Sequence, residues 1–198
     1  MKWLPRSAAR AVLFAVAFAL AAGISGCSAV SLPQPVDGST PAIEKDSING
    51  IWRCNNADYP ILATRLTDAT QGAVELGLLD QSDSKISLDL YNVVVRSTPA
   101  GWVASVEAEG STDNSWVFGR VIVSGDTLTI YKPDLAKFRA LVKSGQLGGT
   151  IPRDSDGKDT DDVTVNRLGP REFQSLQQQD VVLSSLFETA PASTCTRH

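Results

Sequence analysis

The sequence predicts a mainly β domain, α+β at its margin: an antiparallel meander closed into a barrel or strongly bent sheet, followed by two or three short helices. Three observations lead there. Apolar residues alternate with polar ones at period two from Ile48 to about residue 131. The breaks between these runs are short and rich in Gly, Asp, Ser and Pro. Beyond Tyr131 the apolar spacing becomes helical. Alternation split by tight turns is the pattern of strands with one face buried, and the change of period marks a change of element.

The elements follow in order. Val74, Leu76 and Leu78 alternate with Glu75 and Gly77; Ile86, Leu88 and Leu90 with Ser87, Asp89 and Tyr91; Trp102, Ala104 and Val106 with Val103, Ser105 and Glu107. Gly125-Asp126 opens a further strand with Leu128 and Ile130 inward. The breaks at 80–84, 97–101, 110–114 and 124–126 suit hairpins. Six or seven strands are expected before residue 132. Pro133 and Asp134 then suit a helix start, Leu135, Phe138, Leu141 and Val142 form its apolar face, and Lys143 and Gly145 end it. A last strand is expected over Val163 to Leu168, a helix opening at Pro170 with Phe173 and Leu176 inward, and a third short helix holding Leu183, Leu186 and Phe187.

Upstream, Lys2, Arg6 and Arg10 precede an apolar run from Ala11 to Ala22, too short for a stable membrane span. The residues Ile24-Ser25-Gly26-Cys27 then resemble the lipobox of bacterial lipoproteins. The resemblance implies a signal peptide over residues 1–26, cleavage before Cys27, a diacylglycerol on its thiol and an acylated amine. Several acyl chains make a lasting anchor, at about 0.8 kcal/mol per buried methylene. Ser28, where such proteins often carry Asp for inner-membrane retention, implies the periplasmic side of an outer membrane. Residues 27–47, with Pro33, Pro35, Gly38 and Pro41, read as a flexible lipidated tether. Its mean reach as a coil is roughly 25 Å. Residues 48–198 are then one periplasmic domain.

Loss of Lys2, Arg6 and Arg10 with the signal leaves 15 basic residues against 22 acidic ones in 172 residues, a formal charge of −7. That balance argues against nucleic acid as a partner. Two cysteines remain, Cys54 and Cys195, and an even pair in an oxidising compartment most simply forms one disulfide. The competing reading is two unrelated thiols.

The only histidine is His198, the final residue. This excludes His-dependent nucleophilic catalysis and the usual zinc site from the interior of the fold. Glu107 and Glu109 share one strand face, but a pair of carboxylates does acid–base work only when one is buried; a solvated face is the plainer reading. The run Asp154 to Asp162 is rich in oxygen ligands, yet Asp159 stands where an EF-hand needs Gly, and Val165 where it needs Glu. It reads as a loop tip. No cofactor and no metal is therefore expected.

Gly50-Ile51-Trp52 resembles the G-x-W of lipocalins, whose Trp closes one end of an up-and-down barrel. Lipocalins complete eight strands before their helix, whereas here a helix follows six or seven and a strand comes after it. Trp52 also reads as an ordinary core plug, and Trp102 and Trp116 as core or face residues. The function expected from all this is a membrane-anchored, non-enzymatic envelope lipoprotein that binds a protein or glycan partner. A lipocalin-like carrier of a small apolar ligand is the alternative, and a carboxylate-dependent hydrolase comes last.

Overall fold

The structure, a computed structural model, describes residues 29–55, 60–82, 85–107 and 115–198. In chain order these form strand β1 (Val30–Leu32), helix α1 (Lys45–Ile48), and strands β2 (Gly50–Cys54), β3 (Ile61–Asp68), β4 (Ala73–Ser82), β5 (Lys85–Thr98), β6 (Gly101–Glu107), β7 (Trp116–Ser124) and β8 (Thr127–Tyr131). Helix α2 (Leu135–Lys143), strands β9 (Gly149–Thr150) and β10 (Val163–Val165), helix α3 (Pro170–Gln178), a 3-10 turn Leu183–Leu186 and strand β11 (Ser193–Arg197) follow. The meander β2 to β8 pairs neighbour to neighbour, and β11 lies between β8 and β2. Eight antiparallel strands thus close into a barrel, as the alternation predicts. The predicted hairpin turn at 110–114 lies outside the described residues.

Period two fixes which side chains face in. Trp52 and Cys54, Leu62, Val74 and Leu78, Tyr91, Val93 and Val95, Leu128 and Cys195 are buried in one cluster, with Trp102, Ala104, Val106, Val121 and Ile130 packed on it. One expectation is corrected. Leu88 and Leu90 point outward and are more than half exposed. β4 pairs with β5 from Ser82↔Lys85 to Ala73↔Val94 without a bulge, so one parity must serve this stretch. Tyr91, Val93 and Val95 hold the interior, which sends the even-numbered leucines to the other face.

The tether reading is also corrected. Val30, Leu32, Val36 and Ile43 are buried. Val36 N–H donates to the buried Ser105 hydroxyl at 3.0 Å, Asp37 N–H to Leu168 carbonyl at 2.9 Å, and Ser97 N–H to Ser39 carbonyl at 2.8 Å. The prolines favour an extended run that can lie over a sheet as readily as a free coil. Four buried aliphatic side chains at roughly 1.5–3 kcal/mol each are enough to bind it there. The folded domain therefore begins near Ala29, not Ile48.

That segment belongs to a second core outside the barrel. Val103 and Phe118, on the outer faces of β6 and β7, are covered by Leu32, Val36, Phe138 of α2, Phe173 and Leu176 of α3, and Phe187. Phe118 meets Phe138 and Phe187 edge to face, with centroids 5.7 and 6.2 Å away. The helices predicted at 135 and 170 are present, with Asp134 accepting Lys137 N–H at 3.1 Å as the cap of α2. The strand predicted over 163–168 is shorter, and it lies outside the barrel. The strand that closes the barrel, β11, has the polar sequence Ser-Thr-Cys-Thr-Arg and shows no alternation of its own.

Proline shapes the junction between the two cores. β8 pairs with β7 as far as Tyr131↔Arg120. Two residues on, Pro133 has no N–H to give the ladder, and β8 leaves it. β1 takes over the same edge of β7 through Ser31↔Val117 and Leu32↔Trp116, carrying β10 and β9 with it.

Candidate functional site

The barrel interior is filled unevenly. Trp52, Leu62, Leu78 and Tyr91 are large and buried. Elsewhere the wall is thin: Ala104 of β6 stands opposite Gly119 of β7. A larger residue at Gly119 would be tight, because a Cβ there would sit 3.0 Å from the Tyr131 carbonyl oxygen. The small pair leaves a cavity of about 120 Å³, walled by Val74, Leu76, Val93, Val95, Ala104, Val106, Val121, Leu128 and Ile130. An apolar cavity of about 150 Å³ accepts benzene, so this partly open one is large enough for a body of on the order of six carbons.

The cavity is partly open, and each end has its own lining. At one end Ile48 of α1 joins the wall, with Thr64 beside it. Trp52 Nε1 donates to Thr64 Oγ1 at 2.8 Å, and Thr64 Oγ1 donates to the Ile48 carbonyl. The hydroxyl is thereby satisfied, and this part of the wall behaves as apolar. Arg197 of β11 holds α1 down: its guanidinium lies 4.7 Å from the Trp52 ring and donates to the carbonyls of Asp46 and Ser47. Arg197 Nε is buried without a hydrogen-bond partner among the described residues, and it sits 3.6 Å from Asp126. At the other end the wall is Tyr131, Lys132 and Pro133. Lys132 shares the parity of Leu128 and Ile130, which puts it on the inner face where β8 ends, and among the described residues it is the one charged member of the lining. It makes no ion pair among the described residues.

The residues singled out by sequence fall as follows. Cys54 and Cys195 are opposite each other on β2 and β11 and are bonded, with Cα atoms 3.9 Å apart. Cys27 lies outside the described residues. Glu107 is half-buried at the end of β6 opposite Trp116, and its expected companion Glu109 is outside the described residues. Trp102 faces the barrel interior, whereas Trp116 packs on the outer core. The His198 N–H donates to the Ile51 carbonyl at 2.9 Å.

In the acidic loop, Asp154 accepts the N–H groups of Asp156 and Lys158, both at 2.9 Å, and Gly157 turns the chain at φ 75°. Asp159 lies 3.2 Å from Lys143, 3.6 Å from Arg139 and 3.6 Å from Arg153. The Lys143 hydrogen bond is the main reason its carboxyl is held below 3.8. These carboxylates point at amides and cations rather than at one another. Among the described residues no group of three or more acidic, His or Cys side chains converges on a metal position. Nor is any helix among them long and apolar enough to cross a membrane.

Sequence reasoning missed the cavity and its two ends. The small pair Ala104 and Gly119 is a readable signal only once the register of β6 against β7 is known. Arg197 carries no local signal at all. The opposite wall of the barrel has an apolar outer strip: Ile51, Leu88 and Leu90 are each more than half exposed, and the leucines lie across Gly77, where a Cβ would meet Leu88 Cδ1 at 3.1 Å. In the comparisons with known proteins, no family model, no curated protein and no solved structure matches this chain.

Proposed function

We propose that this chain is a lipid-anchored, non-enzymatic protein of the cell envelope, acylated at Cys27 and held on the periplasmic side of an outer membrane, that binds a small apolar ligand inside its barrel. The observation that carries the binding reading is the partly open apolar cavity of about 120 Å³ between the barrel strands. It is smaller than the roughly 300–1,000 Å³ of a drug-sized site, so the ligand is a short chain or single ring, or the tip of something larger. Lys132 at the rim supplies a cation, which fits a ligand with an apolar body and an acidic head.

Calorimetric titration of the mature domain with hexanol and hexanoate tests this. Both should bind, hexanoate more tightly. Lys132→Gln should remove the preference, and Ala104→Leu, which fills the void, should abolish both. Absence of binding, or equal binding by Ala104→Leu, refutes the reading.

A second reading, docking of an envelope protein, is supported by the exposed strip of Ile51, Leu88 and Leu90. Leu88→Ser with Leu90→Ser should then leave hexanoate binding intact and abolish complementation of a deletion strain's envelope phenotype.

A further inference from the structure

The placement of residues 29–43 changes how the domain meets its membrane. Ala29 is already part of the fold: its N–H donates to Asp162 Oδ1 at 2.9 Å, and its carbonyl accepts Val163 N–H at 2.9 Å. Val30 and Leu32 are buried in the outer core directly after it. Cys27 stands only two residues earlier. Two extended residues span roughly 7 Å at most, against roughly 25 Å for the coil that composition alone suggests.

We infer that the domain lies directly on the bilayer, with the side around Ala29 and Asp162, where β1 meets β10, against the lipid headgroups. This rests on acylation of Cys27. Anchored so, the barrel has no leash on which to swing away. The end of β8 lies on the lipid-proximal side, because Lys132 and Pro133 give up the same edge of β7 that β1 occupies. The opposite wall, β3 and β4, lies three and four strands round the ring and faces away from the membrane. The acidic loop, with Arg139, Lys143 and Arg153 on Asp159, would lie at the headgroup level, where its own cations offset its charge.

The test uses the acylated full-length protein, reconstituted in phosphatidylcholine vesicles containing nitroxide-headgroup lipid. Fluorophores are placed at Asp161→Cys, beside the anchor, and at Gln71→Cys, in the turn between β3 and β4. Most of the emission at position 161 should be quenched and none at 71. Insertion of fifteen Gly and Ser residues between Ser28 and Ala29 should abolish the quenching at 161 without changing Tm. Mass spectrometry separates the two ways to fail. A chain lacking the acyl mass refutes the anchor and this inference with it. An acylated chain whose two positions are quenched alike, or whose quenching survives the insertion, overturns the direct seating alone.

Discussion

Replacement of Cys54 and Cys195 together by Ala removes the covalent seam between the first and last strands of the barrel. The bond joins residues 141 apart in sequence. A loop of that length, by the chain-entropy relation, restricts the unfolded state by about 5 kcal/mol at 25 °C. The native state should change little, because β2 and β11 remain paired through Cys195↔Cys54, Thr196↔Arg53 and Arg197↔Trp52. A domain of this kind has roughly 5–15 kcal/mol in all, so the variant should fold but sit near the margin. With a urea m-value of about 1–3 kcal/mol/M, the midpoint should fall by roughly 2–5 M. Equilibrium unfolding followed by tryptophan fluorescence reads this directly, since Trp52 is fully buried beside the seam. A loss under about 1 kcal/mol at unchanged m would refute the argument that closure of this long loop dominates.

Other expectations follow from single contacts. Leu32→Ala, at a buried position of β1, should cost about 2–5 kcal/mol in a thermal melt, whereas a free tether would lose almost nothing. Arg197→Ala removes the cation over Trp52 and two charge-assisted hydrogen bonds to α1; a loss of roughly 2–4 kcal/mol with a red-shifted tryptophan emission is expected, and unchanged emission would show that Arg197 does not seal that end. Asp159 is held below 3.8 chiefly by Lys143, so its contribution is present above that pH and is lost as pH falls through the lower folded value. In an NMR titration Lys143→Ala should bring the Asp159 carboxyl back toward 3.8, and no movement would refute the pairing. Leu88→Ser with Leu90→Ser should cost about 1 kcal/mol or less in the same melt, because both side chains are already more than half exposed.

The barrel was legible wherever a strand's own apolar side chains report its inner face. Val74, Leu76 and Leu78, or Trp102, Ala104 and Val106, need no partner to declare it. β5 was misread because it is apolar on both faces in different stretches, and only pairing with β4 decides between Leu88–Leu90 and Tyr91–Val95. β11 was invisible because a polar strand forms there only when β2 and β8 present open edges. The N-terminal segment misled for a related reason: its prolines describe an extended backbone, which a free coil and a strap over a sheet share. Four aliphatic positions among them were the signal for the strap. The cavity depends on the meeting of Ala104 with Gly119 across two strands, and pairing of that kind is a tertiary fact.

Both closing contacts join segments far apart in the chain. Val30 pairs with Val163, and Cys54 faces Cys195. Synthesis therefore delivers the meander long before it delivers what completes it. Until residues 193–197 arrive, β2 and β8 stand as bare edges, which are templates for pairing with another chain. Contacts separated by more than 130 residues also place the last step among slow, non-local ones. The vulnerable period of this protein is thus its youth: a chain without β11 is an open sheet with adhesive margins, and only that strand turns it into a ring.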